Sequence, residues 1–352
     1  MAYLSLSTAN LPDPAIDPAA GKEPADYFNT VLYTGDGTTS HSITGVGFQP
    51  DFVWNKQRNG GYDNAVWDVL RDVTKRLVTN STGAEATVSN GLLSFDSDGF
   101  TMGDQGGVNG SGSTYVAWNW KANGSGVSNT DGSITSTVSA NTTSGFSVCT
   151  FTAPTSGTCT IGHGLDVAPE FFFIKSRANA YGWTVYHKDI GANKYLVLNT
   201  TASAATDTNT WNNTAPTSSV FTLGQNFQNT STWVGYCFHS VDGFSKCGSY
   251  VGNGSTDGPF VYTGFRPAFV MVKATNVAQS WVMLDNERAG YNVENYRLFA
   301  ESSNAESTTT PIVDLLSNGF KWRNNFGNFN GSGNTYIYMA FAENPFKYSN
   351  AR

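Results

Sequence analysis

The sequence predicts an all-β protein: three tandem β-sandwich (jelly-roll-like) domains behind an extended N-terminal arm. Three observations carry that expectation. The phrase proline, any residue, phenylalanine, three residues, lysine is written three times, at Pro50–Lys56, Pro169–Lys175 and Pro267–Lys273. Each copy is followed at nearly the same distance by an aromatic strand, and the intervals Pro50–Tyr115, Pro169–Trp233 and Pro267–Tyr336 are 65, 64 and 69 residues. The composition is poor in charge (13%) and rich in aromatics (14%), Gly, Ser, Thr and Asn, which favours strands and turns over exposed helices.

Within the phrase, Phe52, Trp54 and Lys56 alternate, as do Phe171, Phe173 and Lys175, and Phe269, Met271 and Lys273. A period of two predicts a strand with one buried face. The proline stands at its first position, where a missing N–H is tolerated. A tryptophan follows each strand, at Trp67, Trp183 and Trp281, and then a leucine with a polar residue three places on: Leu77 and Asn80, Leu196 and Asn199, Leu298 and Glu301. "FDSDGFTMG" (95–103) pairs with "DLLSNGFKW" (314–322), and the second copy has the shorter "SSVFTLG" (218–224). The closing strands are "STYVAWNW" (113–120), "STWVGYCF" (231–238) and "NTYIYMAF" (334–341); glycine-rich tips before them read as hairpins.

A unit of this length exceeds a solenoid repeat of roughly 20–45 residues and matches a sandwich of about 100 residues. Residues 30–127, 128–245 and 246–352 are therefore read as three sandwiches, each around its own core. Segment 121–145 reads as a linker in which "SITSTV" (133–138) can add one edge strand. Residues 1–29, with Pro12, Pro14, Pro18 and Pro24, read as an extended arm with polyproline II character. That arm is the candidate docking element, through Pro12, Pro14, Pro18, Tyr27 and Phe28.

The net charge of −7 and the absence of a Lys/Arg-rich run exclude a nucleic-acid footprint. No run of about 18 apolar residues is present to span a membrane, and the first residues do not form a secretory signal. Cytoplasmic synthesis favours free thiols at Cys149, Cys159, Cys237 and Cys247, while Cys149–Cys159 or Cys237–Cys247 pairs stay open. His41, His163, His187 and His239 lack metal-ligand spacing, and "GHG" (162–164) reads as a turn. "DSDG" (96–99) lacks the remaining positions of a calcium loop and reads as an Asx-type turn. No spacing nominates a carboxylate pair or a nucleophile elbow. The expectation is a non-enzymatic chain with no metal and no cofactor.

Most of the nine tryptophans lie on alternating strands and read as core. Trp211, in "NTWNNTAP", stands in a polar stretch and reads as an exposed platform for a sugar. Trp211 and Asn212, with Asn109 and Asn330 on the glycine-rich tips, are the candidate glycan or receptor contacts.

"YTGDG", "GFQPDFVWNK", "LVTNSTGAE", "SFDSDGFTMG", "STYVAWNWKANGSG" and "GSYVGNGSTDGPFVYTGFRPAFVMVK" resemble a repeat domain of tailed-bacteriophage virion proteins, those of marine and environmental phages labelled tail fibre or tail protein. The resemblance covers residues 26–352 and brings no catalytic residues with it. It implies a virion structural component, tail fibre or tail-associated, assembled in the host cytoplasm. Its arm would dock on other virion proteins, it would form a homotrimer, and it would meet a cell-surface glycan. A capsid head-decoration or head-fibre protein, and a glycan-binding receptor protein, are the alternatives.

Overall fold

In the computed structural model, which describes residues 8–349, every repeat lays down one large antiparallel sheet with a small sheet across one face. The first repeat contains β1 (Phe28–Thr34), β2 (His41–Thr44), β3 (Phe52–Gln57), β4 (Ala65–Asp68), β5 (Lys75–Val78), β6 (Ala86–Thr87), β7 (Leu92–Asp96), β8 (Gly99–Met102) and β9 (Thr114–Trp120). Its large sheet runs β1-β9-β3-β4-β5-β6 and its small one β2-β8-β7. The second contains β10 (Val127–Asn129), β11 (Ser136–Asn141), β12 (Phe146–Thr152), β13 (Cys159–Gly162), β14 (Phe171–Ser176), β15 (Thr184–His187), β16 (Lys194–Val197), β17 (Ala205–Thr206), β18 (Val220–Leu223) and β19 (Thr232–Phe238). These form the sheets β10-β11-β12-β19-β14-β15-β16-β17 and β13-β18. The third contains β20 (Ser245–Val251), β21 (Phe260–Tyr262), β22 (Phe265–Ala274), β23 (Val282–Asp285), β24 (Leu298–Phe299), β25 (Val313–Leu316), β26 (Gly319–Trp322) and β27 (Thr335–Pro345), in the sheets β20-β27-β22-β23-β24 and β21-β26-β25.

The fold is all-β, and the thrice-written phrase is the central strand of each large sheet. β3, β14 and β22 pair with the closing aromatic strands β9, β19 and β27 in one register: Trp54 opposite Trp118, Phe173 opposite Tyr236, Met271 opposite Met339. Pro50 and Pro169 precede their strands. Pro267 lies inside β22, where the register shifts on both sides of it; a bulge is where a strand tolerates a missing amide.

One expectation changes. Every residue of β3 and β14 is buried, so both faces are covered rather than one. Val53, with Trp67, Leu92 and Phe100, faces the first repeat's own interior. Phe172 and Ile174, with Trp211 and Phe221, face the second's. The other faces, carrying Phe52, Trp54, Phe171, Phe173, Phe269 and Met271, meet in one core common to all three repeats, and the third repeat's interior is continuous with it. The cores are therefore not separate. Phe52 lies 4.4 Å from Tyr236 between ring centroids, Trp118 lies 5.6 Å from Phe269, and Phe238 lies 6.0 Å from Phe341. These contacts join the first repeat to the second, the third to the first and the second to the third, closing a ring. A sheet face this apolar must be buried against something, and three such faces supply one another.

Two further readings are corrected by register. Trp67 is not the counterpart of Trp183 and Trp281. Pairing aligns Trp67 with Tyr186 and Leu284, and Asn64 with the two tryptophans. Segment 121–145 is not a linker: it supplies β10 and all of β11, which extend the second sheet by two strands beyond the equivalent edges of its neighbours.

Among its described residues the arm has no strand before β1, only 3-10 turns at Thr8–Asn10, Pro18–Ala20 and Pro24–Asp26. It is extended but not free. Ile16 is fully buried in the common core and Pro14 is buried. The Ala15 amide donates to the Asp242 carbonyl at 3.2 Å, and the Tyr348 hydroxyl donates to Asp17 at 2.7 Å. Gly243 allows the approach: its φ is 74°, in the left-handed region, and a Cβ there would sit 2.4 Å from that of Pro14.

Candidate functional site

The polar residues that recur with the repeat hold the ring. Lys175 Nζ donates to the Thr82 carbonyl of the first repeat at 3.0 Å, Lys273 Nζ to Thr201 of the second at 2.9 Å, and Lys56 Nζ to Ser303 of the third at 2.9 Å. Burial pulls all three ammonium groups down to about 8. Beside them Trp183 Nε1 donates to the Val78 carbonyl at 2.9 Å and Trp281 Nε1 to Val197 at 3.1 Å; Asn64 Nδ2 serves the same place with Phe299 at 3.1 Å. Asn80, Asn199 and Glu301 each accept the amide just ahead of the neighbouring strand, from Asn64, Trp183 and Trp281.

The seams differ in charge. At the first–second seam Arg71 pairs with Asp68 and Glu85, Arg177 pairs with Glu85, and the Tyr236 hydroxyl donates to Asp68 at 2.6 Å. Burial opposes the Arg71 charge, but Asp68, Tyr236 and Glu85 hold its pKa above the usual value. The third–first seam repeats the set with Asp285, Arg288, Glu306 and Arg58, and Trp118 Nε1 donates to Asp285 at 2.9 Å. At the second–third seam the same register places hold His187, Ile190, Ala204, Thr275 and Met339. Burial pushes His187 down to about 4.

The residues expected to contact a ligand are largely occupied. Trp211 is 1% exposed and donates its Nε1 to the Lys194 carbonyl at 2.9 Å. Its polar neighbours are turn residues, and the chain folds its indole onto Phe172, 4.9 Å away. Asn109 and Asn330 are fully buried. Asn109 accepts the Asp36 amide and donates to the Thr38 carbonyl; Asn330 does the same with Asn253 and Ser255, so each pins two loops. Asn212 alone of the four is exposed, in the left-handed region at φ 51°. Of the docking candidates, Pro14 and Phe28 are buried within the chain, Pro18 and Tyr27 are half-buried, and Pro12 is exposed. The four cysteines are free and buried. Cys237 and Cys149 share the second repeat's interior, a proximity that spacing did not suggest, and burial raises the Cys237 pKa well above the usual thiol value. Among the described residues no group of three or more His, Cys, Asp or Glu is placed to hold a metal ion, and no helix is long and apolar enough to cross a membrane.

A groove that the sequence did not mark lies beside Trp211. Tyr181, 46% exposed, stacks on Trp233 at 6.0 Å and 6°. Phe227 meets Trp233 edge-on at 5.2 Å and stacks on Trp211 at 5.9 Å. The cavity holds about 240 Å³, with Thr184, Tyr195 and Asn226 on its walls. Asn226 Nδ2 is oriented by Asp207 at 2.7 Å and Thr210 at 3.0 Å. In the other repeats a short turn closes this place, α1 (Gly106–Asn109) in the first and Gly327–Asn330 in the third. Tyr62 covers the first so closely that a Cβ on Gly106 would lie 3.2 Å from its hydroxyl, and Gln279 Nε2 would lie 2.7 Å from one on Gly327. The second repeat has the 3-10 turn Gln225–Phe227 instead, and the place stays open. An aromatic wall beside fixed polar groups suits an uncharged ring with hydroxyls.

No curated protein and no solved structure matches this chain. One family profile does, and it runs across all three repeats, from just before β1 to the end of β27. With residues 23–345 matched, the chain belongs to the family described as a domain of unknown function (DUF7483).

Proposed function

We propose that the chain is a bacteriophage virion structural protein, tail fibre or tail-associated, that projects from the particle and contacts the host surface. The observation that carries this reading is that the recurrent polar motifs serve the frame. The phrase lysines tie neighbouring repeats, Asn109 and Asn330 pin the glycine-rich tips, and the buried arginines are neutralised inside seams. The same motifs carry the resemblance to virion repeat domains. A frame held by buried pairs and a shared core resists local opening, which suits a non-enzymatic module on a particle exterior. Cryo-EM of intact particles, with antibody labelling of this chain, tests the reading: signal on the tail is expected, signal on the head selects the decoration or head-fibre alternative, and particles without the chain end the proposal. Sedimentation tests the homotrimer, whose mass is three times the 37.8 kDa chain.

The groove favours a second reading, glycan binding by the second repeat. An array of host-derived glycans, probed with the chain and with Tyr181→Ala, tests it. Binding that the substitution abolishes supports it; no binding, or binding unchanged by the substitution, removes the groove from consideration. Docking by the arm is tested by removing residues 1–12, which leaves Pro14, Ile16 and Phe28 in place; particles still decorated normally would end it.

A further inference from the structure

We propose that β1 and β20 are strand acceptors, each taking an extended, uncharged Ser/Thr/Val-rich segment of another protein chain as an added antiparallel strand. This goes beyond the virion reading and does not depend on it. The internal repeat supplies the comparison. β1, β12 and β20 hold the same place in their sheets, beside β9, β19 and β27. In the second repeat the outer side of β12 is filled by β11, from Ser136 opposite Phe151 to Asn141 opposite Phe146. Among the described residues no strand pairs with the outer side of β1 or of β20.

The two open edges match in detail. The Gly35 amide bonds the Ser113 carbonyl and the Lys121 amide the Tyr27 carbonyl, so the odd-numbered residues of β1 face β9 and Thr30, Leu32 and Thr34 turn outward. In β20 the Gly252 amide bonds Asn334, which turns Cys247, Ser249 and Val251 outward. Register aligns Thr30 with Cys247, Leu32 with Ser249 and Thr34 with Val251. The first of each set is blunted by a side-chain oxygen: the Thr30 amide donates to Asn29 at 2.9 Å and the Cys247 amide to Ser240 at 2.9 Å. Among the described residues the other two make no outward backbone hydrogen bond in either strand. There Leu32 is 38% and Val251 59% exposed, whereas Thr150, the covered counterpart of Leu32, is half-buried beneath Thr137 of β11. An unpaired edge is a template for another chain. The occupant's chemistry follows from β11, "STVSAN", which carries no charge and alternates small residues.

The probe is a synthetic peptide of residues 134–142, added to the full chain and followed by amide hydrogen exchange. The expected result is exchange slowed by about tenfold or more at Leu32, Thr34, Ser249 and Val251, with the rest of the chain unchanged. Leu32→Pro removes an outward amide and should abolish protection at β1 while leaving β20 protected. If that variant does not fold, Leu32→Lys and Val251→Lys serve as edge-blocking substitutions. The proposal is overturned by unchanged exchange at millimolar peptide, by protection that the blocking substitutions do not remove, or by protection that appears without peptide as the chain dimerises, which would make a second copy the occupant.

Discussion

Lys175 of the second repeat and Thr82 of the first are joined across a repeat boundary by a 3.0 Å hydrogen bond from Nζ to the main-chain carbonyl. The same bond recurs from Lys273 to Thr201 and from Lys56 to Ser303, so one recurrent lysine closes each seam of the ring. Lys175 also donates to the Asn179 carbonyl at 3.2 Å. Lys175→Met leaves two carbonyls without their donor, and a loss of about 1–3 kcal/mol is expected in thermal or urea unfolding. Because burial pulls these lysines to about 8, below their unfolded value of 10.5, the unfolded chain binds more protons between those limits. Their contribution to stability therefore rises with pH across that window, and Lys175→Met should flatten the rise measured between pH 8 and 10.

Arg71 is fully buried between Asp68 and Glu85. Arg71→Ile alone leaves the buried Asp68 without its cation, while Glu85 keeps Arg177, and should destabilise the chain by about 3–5 kcal/mol. The second–third seam shows an uncharged solution at the same places. Transplanting it, as Asp68→His, Arg71→Ile, Glu85→Ala, Arg177→Thr and Tyr236→Met together, should cost less than the single substitution. A combined variant less stable than Arg71→Ile in urea unfolding would contradict this.

Glu294 is 1% exposed, and among the described residues neither carboxylate oxygen has a hydrogen-bond partner. Burial, with Asp285 and Glu287 nearby, raises its pKa from 4.5 to about 8 against the pull of Arg288 and Arg266. The folded chain then holds a proton that the unfolded chain has released, so the contribution present below pH 4.5 is lost as pH rises to about 8. Glu294→Gln should leave the melting temperature at pH 5 nearly unchanged and raise it at pH 9. A melting temperature that falls at pH 9 would reverse the assignment.

Trp211 is packing rather than platform. Trp211→Ala should cost about 3–5 kcal/mol of stability, and it should also loosen Phe227 beneath the groove. Circular dichroism melts measure the first effect; an unaltered melting temperature would return Trp211 to the surface.

The sequence by itself determined the all-β class, the threefold repetition and the central strand of each sheet, because apolar periodicity and repeat length are local properties of the chain. It also marked Asn80, Asn199 and Glu301 as equivalent, and their shared task of accepting the amide just ahead of a strand explains why. Tertiary structure alone decided what lies against those strands. Periodicity reports that Phe52 and Phe173 are buried but not that they share one core, because their partners stand about as far away in sequence as a whole repeat. A polar neighbourhood could not tell Trp211 from an exposed residue, since turns on both sides of a buried indole look the same in sequence as turns around a free one. The open edges of β1 and β20 are likewise invisible in sequence, because a missing hydrogen-bond partner leaves no residue to read.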